Sequence, residues 1–291
     1  MLRRIKQLFT KILNLCFYLC LAFIVFLFLQ VFCFASFRIP SDSMEPSLKE
    51  GDYILVNKLI QGARLFNIQA AFNNEEFKIR RMYGFGKITY NDVLVFNFPY
   101  AKSSWDSISF DIMRYYVKRC IALPGDTLEI HSGVYKLKNK ELHLGNSQSQ
   151  KDISMLSDSC KYVQMETYPW NKDMNWTIKE FGPLAIPAKG QIIAVDSMTH
   201  ILYHQLISWE QKKKLNRKES QICLGDSVIY QYQFKHNYYF VSGDKLENSQ
   251  DSRYWGLLPE EYIVGKATRI WNSKDPLSNK IRWNRILKKI E

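Results

Sequence analysis

Between Lys11 and Arg38 the chain carries no charged residue. As a helix rising about 1.5 Å per residue, the run from Ile12 to Phe37 would extend roughly 39 Å, more than the ~30 Å hydrocarbon core of a bilayer, so one tilted crossing is expected. The run is too long for the ~7–15-residue apolar region of a secretory signal, which favours a retained anchor. Cleavage remains the competing reading, because Cys33-Phe34-Ala35 offers small residues that an export protease accepts. Arg3, Arg4, Lys6 and Lys11 precede the span and only Arg38 closely follows it. The positive-inside rule therefore predicts a single-pass protein of the cytoplasmic (inner) membrane, its N-terminus in the cytoplasm and residues 38–291 outside it.

Of 291 residues, enough remain beyond the span for one or two compact units, and the net charge is +12. With the body outside the cytoplasm, nucleic acid is not an expected partner. The excess charge, concentrated in 212–218 and 274–289, reads as a solvated exterior or as contact with lipid headgroups. Cys16, Cys20 and Cys33 lie in the span; Cys120, Cys160 and Cys223 lie in the body. An odd set gives no disulfide framework, although a single Cys160–Cys223 bridge is open to it.

The body reads as mainly antiparallel β. Apolar or alternating runs at 53–56, 93–96, 115–121, 127–130, 228–234, 236–241 and 262–270 are separated by turn signals such as Pro124-Gly125-Asp126. Residues 145–225 are more polar and hold a helical pattern from His200 to Lys214. The expected division is a cytoplasmic segment 1–11, a transmembrane helix 12–37, a β-rich core of 38–144 and 226–272, an inserted peripheral lobe 145–225 and a basic tail 273–291.

Two segments carry chemistry. Directly after the span, Pro40-Ser-Asp-Ser-Met-Glu-Pro46 presents Ser41 and Ser43, with Ser47 just beyond. Farther on, Lys118 lies in a strand-like apolar run. A serine hydroxyl needs a base within hydrogen-bond reach, and a lysine serves only when neutral, which desolvation favours by several pKa units. Tyr116, Val117, Ile121 and Leu123 supply apolar neighbours, while alternation turns Arg119 outward. Ser43, central in the turn, is the preferred nucleophile of the three, and no histidine is near either segment. The pattern points to a membrane-tethered Ser/Lys acyl-transfer enzyme.

Four blocks together, Phe37-Arg-Ile-Pro-Ser-Asp-Ser-Met-Glu-Pro-Ser-Leu48, Gly51-Asp-Tyr-Ile-Leu-Val-Asn-Lys58, Val117-Lys-Arg-Cys-Ile-Ala-Leu-Pro-Gly-Asp126 and Ser242-Gly-Asp-Lys-Leu-Glu-Asn-Ser-Gln-Asp-Ser-Arg-Tyr-Trp-Gly256, resemble bacterial type I signal peptidases. The resemblance implies a β-rich endopeptidase of that type, without metal or organic cofactor, that cuts signal peptides from exported preproteins. It implies Ser43 as nucleophile, Lys118 as general base, and an oxyanion hole from the Ser43 N–H and the Ser41 hydroxyl. Ser249 would orient the lysine; Asp251, Arg253 and Asp244 would support the loop. Phe37, Ile39, Met44, Leu48, Tyr116 and Val117 would line clefts for small substrate residues. The lipid bilayer is a further expected partner, and the secretion translocon another.

Two positions depart from that pattern. Lys245 stands where asparagine is common, and Asp42 where glycine is frequent; Asp42 is expected to point away from the site. The resemblance leaves open a specialised paralogue serving one pilin-like or conjugation substrate. A non-catalytic module that holds signal peptides would lack Ser43 or Lys118, and a self-cleaving Ser/Lys repressor would need cytoplasmic DNA. His200 and His204 have one-face helical spacing but no third ligand in the sequence nearby, so a metal site is not expected.

Overall fold

The computed structural model describes residues 2–73, 75–100, 105–219 and 221–290. Helix α1 (Leu2–Phe28) continues through a π-type turn, Leu29–Cys33, straight into strand β1 (Phe34–Arg38). The stretch Lys6–Cys33 is long and apolar enough to cross a bilayer, and none of its most apolar window is covered by protein. The helix stops short of the Phe37 limit that hydropathy suggests. With no charge to mark the change, Phe34 and Phe37 prolong the apolar run although they belong to a strand, and β1 pairs residue by residue with β2 (Asp52–Asn57), Phe34 opposite Asn57 and Arg38 opposite Tyr53. The basic N-terminal residues belong to the same helix rather than to a separate segment.

The remaining strands of the main sheet are β3 (Val93–Asn97), β4 (Tyr115–Ala122), β8 (Tyr238–Ser242), β9 (Leu258–Pro259) and β10 (Ile263–Ser273), in the order β1-β2-β10-β3-β4-β8-β9. All six pairings are antiparallel. Strand β3 shows why the sheet is covered on both sides. Its residues alternate between faces, so Val93 and Val95 join one apolar cluster with Met44, Leu48 and Ile54, whereas Leu94 and Phe96 join a larger one with Phe240 and Trp255. Each cluster fixes one face of the strand, and together they fix its register.

A second, three-stranded sheet holds β5 (Thr127–His131), β6 (Val134–Leu137) and β7 (Phe181–Ala185), with β5 in the centre. This sheet corrects the expected lobe boundary at 145, since β7 from the presumed insertion pairs with β5 from the core. Helix α2 (Ser147–Met155) and helix α3 (Ser197–Gln211) add Ile153, Leu202, Leu206 and Ile207 to the larger cluster, so the region shares one core with the main sheet. The short helix α4 (Ser252–Trp255) follows β8.

The C-terminal stretch is not a loose tail. It folds back along β10, with bridges pairing Arg269 with Lys289 and Lys274 with Ile281, and Ile290 enters the smaller cluster. Arg285 reaches the fully buried Asp52 at 2.6 Å and the Ser47 carbonyl at 3.0 Å. Gly51 permits the close approach: its φ is 84°, and a Cβ there would meet the Lys274 carbonyl oxygen at 2.0 Å. The six cysteines, Cys160 and Cys223 included, are free thiols.

Candidate active site

The turn between β1 and β2 is built from its apolar residues outward. Ile39, Met44 and Leu48 are 2%, 1% and 0% exposed, and all three sit in the smaller cluster. Backbone bonds from Glu45 to Asp42, Leu48 to Met44 and Gly51 to Ile39 close the turn. With those side chains pulled inward, Ser41 is left exposed and Ser43 half-exposed on the opposite side.

The structure separates the serines by their partners. Ser47 Oγ accepts from Arg119 Nη2 at 3.0 Å, and Ser43 Oγ lies 2.7 Å from Lys118 Nζ. Ser41 Oγ is 3.4 Å from Ser43 Oγ. Lys118 is only 4% exposed. Burial draws its pKa down to about 8; the carboxylate of Asp251 opposes that fall, Arg253 reinforces it, and Asp244 and Asp42 oppose it again. An amine in this state is neutral in a useful fraction of molecules at mildly alkaline pH, with its lone pair within reach of a hydroxyl proton.

Arg119 corrects the expectation of an outward residue, because it is buried at 5% exposure. Its Nε and Nη2 hold the Asp244 carboxylate at 2.6 and 2.7 Å, and Nη1 donates to the Asn91 carbonyl at 2.8 Å. A planar guanidinium satisfies a carboxylate with two parallel bonds, so Asp244 ties its loop to β4.

Asp251 organises the rest of that loop. Fully buried, it accepts from Arg253 Nε at 2.9 Å, Ser249 Oγ at 2.7 Å, Ser242 Oγ at 3.1 Å and the Gly243 N–H at 3.1 Å. It also caps the N-terminus of α4 through the Arg253 N–H. Burial alone would raise its pKa, but the Arg253 charge and the hydrogen bonds prevail and hold it low. Arg253 Nη2 adds a bond to the Leu246 carbonyl at 2.9 Å. Ser249 lines the same cleft as Lys118, but its hydroxyl donates to Asp251, and no Ser249–Lys118 hydrogen bond occurs among the described residues. The expected orientation of the lysine by Ser249 therefore has no direct bond behind it.

The cleft at Ser43 holds about 520 Å³. Of the six residues expected to line it, Tyr116 does so; Ile39, Met44 and Leu48 lie in the core, while Phe37 and Val117 pack against that core at its edge. Apolar residues beside this turn are as well suited to anchoring it as to receiving substrate. The cleft walls come instead from Tyr115 and Tyr116 on β4, from Trp105, and from Tyr162, Met165 and Tyr254. Tyr162 and Met165 were not foreseen because their approach depends on packing of the 145–225 region, which no local pattern reports. Asp42, expected to face outward, also lines the cleft.

On one side, β4 pairs with β3 from Tyr115 to Arg119; on the other, β8 begins to pair only at Arg119. Among the described residues, 115–118 thus keep an open sheet edge beside Ser43, able to accept an extended peptide as an added strand. His200 and His204 stack at 5.4 Å on α3, and no metal-binding cluster of His, Cys, Asp or Glu forms among the described residues.

Comparison with known proteins places the chain in a family. Residues 12–272 match the family model described as signal peptidase, peptidase S26. Signal peptidase I of Buchnera aphidicola subsp. Acyrthosiphon pisum is 31% identical over 276 residues, covering 91% of this chain and 77% of that protein. Signal peptidase I of Pseudomonas aeruginosa is 30% identical over 275 residues, covering 90% and 74%. A crystal structure of a signal peptidase I from Enterococcus faecalis covers 62% of this chain and 96% of that one at 18% identity and a TM-score of 0.30, and adds nothing to the assignment. With most of its length matched by the family model and by relatives of which it covers about three quarters, the chain belongs to the signal peptidase family, peptidase S26, and is a serine endopeptidase.

Proposed function

We propose that this protein removes N-terminal signal peptides from exported preproteins with Ser43 as nucleophile and Lys118 as general base. The observation that carries the reading is the 2.7 Å approach of Lys118 Nζ to Ser43 Oγ, made by a lysine buried to 4% exposure. Neutral Lys118 takes the Ser43 proton as Oγ attacks the scissile carbonyl. The Ser43 N–H and the Ser41 hydroxyl receive the developing oxyanion. The lysine ammonium then protonates the departing amine, which leaves the signal peptide as an ester on Ser43. Lys118 next activates the water that hydrolyses that ester. No step calls for a metal or an organic cofactor.

The open edge at residues 115–118 gives the substrate backbone its place, and Tyr115 and Tyr116 lie where its side chains would pack. The bilayer is the second proposed partner, with α1 as a single-pass anchor and the body on the outer face of the cytoplasmic membrane. In support, Tyr83, Phe85, Leu277 and Trp283 are strongly exposed apolar side chains on the body. Tethering would turn a three-dimensional search for a membrane-held substrate into a local one. The secretion translocon, which delivers such substrates, is a third proposed partner.

The test is cleavage of a preprotein in detergent by the wild type, Ser43→Ala and Lys118→Met, with folding followed by circular dichroism. Correctly sited cleavage by the wild type alone is the expected result. Cleavage by either folded variant would overturn the dyad, and a wild type that binds without cutting would favour a binding module.

A further inference from the structure

The two positions that depart from the resemblance, Asp42 and Lys245, meet in the fold. Lys245 Nζ donates to Asp42 Oδ2 at 2.5 Å across 203 residues of sequence. Asn248 Nδ2 donates to the other carboxylate oxygen at 2.7 Å. A third tie runs through the backbone, from the Lys245 N–H to the Ser43 carbonyl at 3.1 Å. One loop therefore grips the nucleophile turn at the residue between Ser41 and Ser43 and at Ser43 itself. Behind that grip the loop is anchored by Asp244 on Arg119 and by Asp251 on Arg253.

An ion pair with side chains 30% and 32% exposed contributes little to stability. Its placement matters more. Ser41 is exposed, and Asp42 is the neighbouring residue through which the loop holds this part of the turn. We propose that Asp42 and Lys245 act as one positioning unit, a latch that closes the nucleophile turn onto the 243–249 loop and fixes the Ser41 and Ser43 hydroxyls relative to Lys118. The latch rests on the Ser43/Lys118 reading and deepens it.

The pair also compensates its own charge near the base. Around Lys118 stand Ser43 and Asp42 from the turn, Asp244 from the loop, Asp251 and Arg253 from the start of α4, and the Tyr116 ring at 5.7 Å from the same strand. Ser249 lines the cleft beside it, Glu45 and Glu247 stand near Lys245, and Arg119 on the opposite face is neutralised by Asp244. Removing Asp42 leaves an uncompensated cation on this side; removing Lys245 leaves an uncompensated carboxylate. A nearby cation disfavours the protonated lysine and a nearby anion favours it, so the two single variants should move the titration of Lys118 in opposite directions.

The experiment uses the full chain in detergent with a preprotein substrate. It compares Asp42→Asn, Lys245→Asn and the exchange Asp42→Lys with Lys245→Asp, each matched to the wild type in thermal midpoint. Each single variant is expected to lose about tenfold in kcat with little change in KM, and the exchange to recover most of the loss. The acid limb of kcat/KM should move to lower pH in Asp42→Asn and to higher pH in Lys245→Asn. Unchanged kcat and pH profiles in both single variants would overturn the latch, as would limbs moving the same way with no recovery on exchange. Ser43→Ala is assayed alongside: cleavage by that variant defeats the Ser/Lys reading, whereas a dead Ser43→Ala beside unaffected latch variants defeats the latch alone.

Discussion

Lys118 and Arg119 are neighbours on one strand, and both reach the nucleophile turn, Lys118 through Ser43 Oγ at 2.7 Å and Arg119 through Ser47 Oγ at 3.0 Å. Their surroundings divide the labour. Arg119 is paired with the two-bonded carboxylate of Asp244. Lys118 has no carboxylate within ion-pair distance among the described residues, and burial brings it toward neutrality.

Activity should therefore rise with pH through about 8, where Lys118 loses its proton. Lys118→Arg should be inactive across the range, because a guanidinium does not deprotonate. Initial rates of preprotein cleavage between neutral and alkaline pH check both. A limb well below neutral pH would assign the base elsewhere.

The same burial bears on stability. Lys118 titrates lower in the folded chain than at its ordinary 10.5, so the cost of the buried ammonium is fully present below about 8 and fades as pH rises toward 10.5. Lys118→Met should then be inactive yet more stable than the wild type at pH 7, by at most roughly 3 kcal/mol. Urea denaturation at neutral and strongly alkaline pH is the measurement. A variant less stable at neutral pH would contradict the account.

Gly243→Ala should damage the site without touching the dyad. A Cβ at this position would meet Ser249 Oγ at 2.2 Å and the Ser43 carbonyl oxygen at 2.5 Å, so the loop must withdraw from the nucleophile turn. A kcat reduced by about tenfold to a hundredfold is expected. Stability should fall by about 1–3 kcal/mol, in the range of overpacked sites. Wild-type turnover in a folded variant would mean that the loop is free to shift.

Ser41→Ala tests the proposed oxyanion donor. Its hydroxyl is exposed, so folding should be unaffected, while the loss of a transition-state donor is expected to cost about 2.7–4 kcal/mol in kcat. KM should hardly change. A loss confined to KM would place Ser41 in ground-state binding instead.

The sequence carried the order of the parts better than their surfaces. Uncharged length marked the long apolar helix, and apolar runs marked β2 and β4, because these signals are local. What covers an apolar residue is not local. Met44 and Leu48 read equally well as substrate contacts or as ballast, and only packing against Ile54 and Val95 makes them core. Tyr162 and Met165 reach the cleft through tertiary packing that leaves no periodic trace, and the basic C-terminal stretch hides the fact that Arg285 is a partner for Asp52.

That last pair gives a further prediction. Asp52 is fully buried, and burial would raise its pKa, yet Arg285 together with bonds from Lys49 and Ser273 holds it low. Arg285→Ala should strip the main charge partner and destabilise the fold by about 3 kcal/mol, the lower end for a broken buried pair, since Arg282 remains 3.5 Å away. Asp52→Asn combined with Arg285→Met should be milder, because no unpaired charge stays behind. Equilibrium denaturation of both variants makes the comparison.

The π-type turn at Leu29–Cys33 runs into β1 without an intervening loop, and Lys58 Nζ grips the Gln30 and Val31 carbonyls at 2.8 and 3.1 Å. With α1 as the proposed anchor, the Ser41–Ser47 turn would be carried on a stiff strut rather than on a leash. A five-residue strand extends about 17 Å. Were α1 embedded as proposed, Ser43 would stand at a set altitude above the lipid, and the protein would act as a gauge, cutting a bond that the substrate holds at that height.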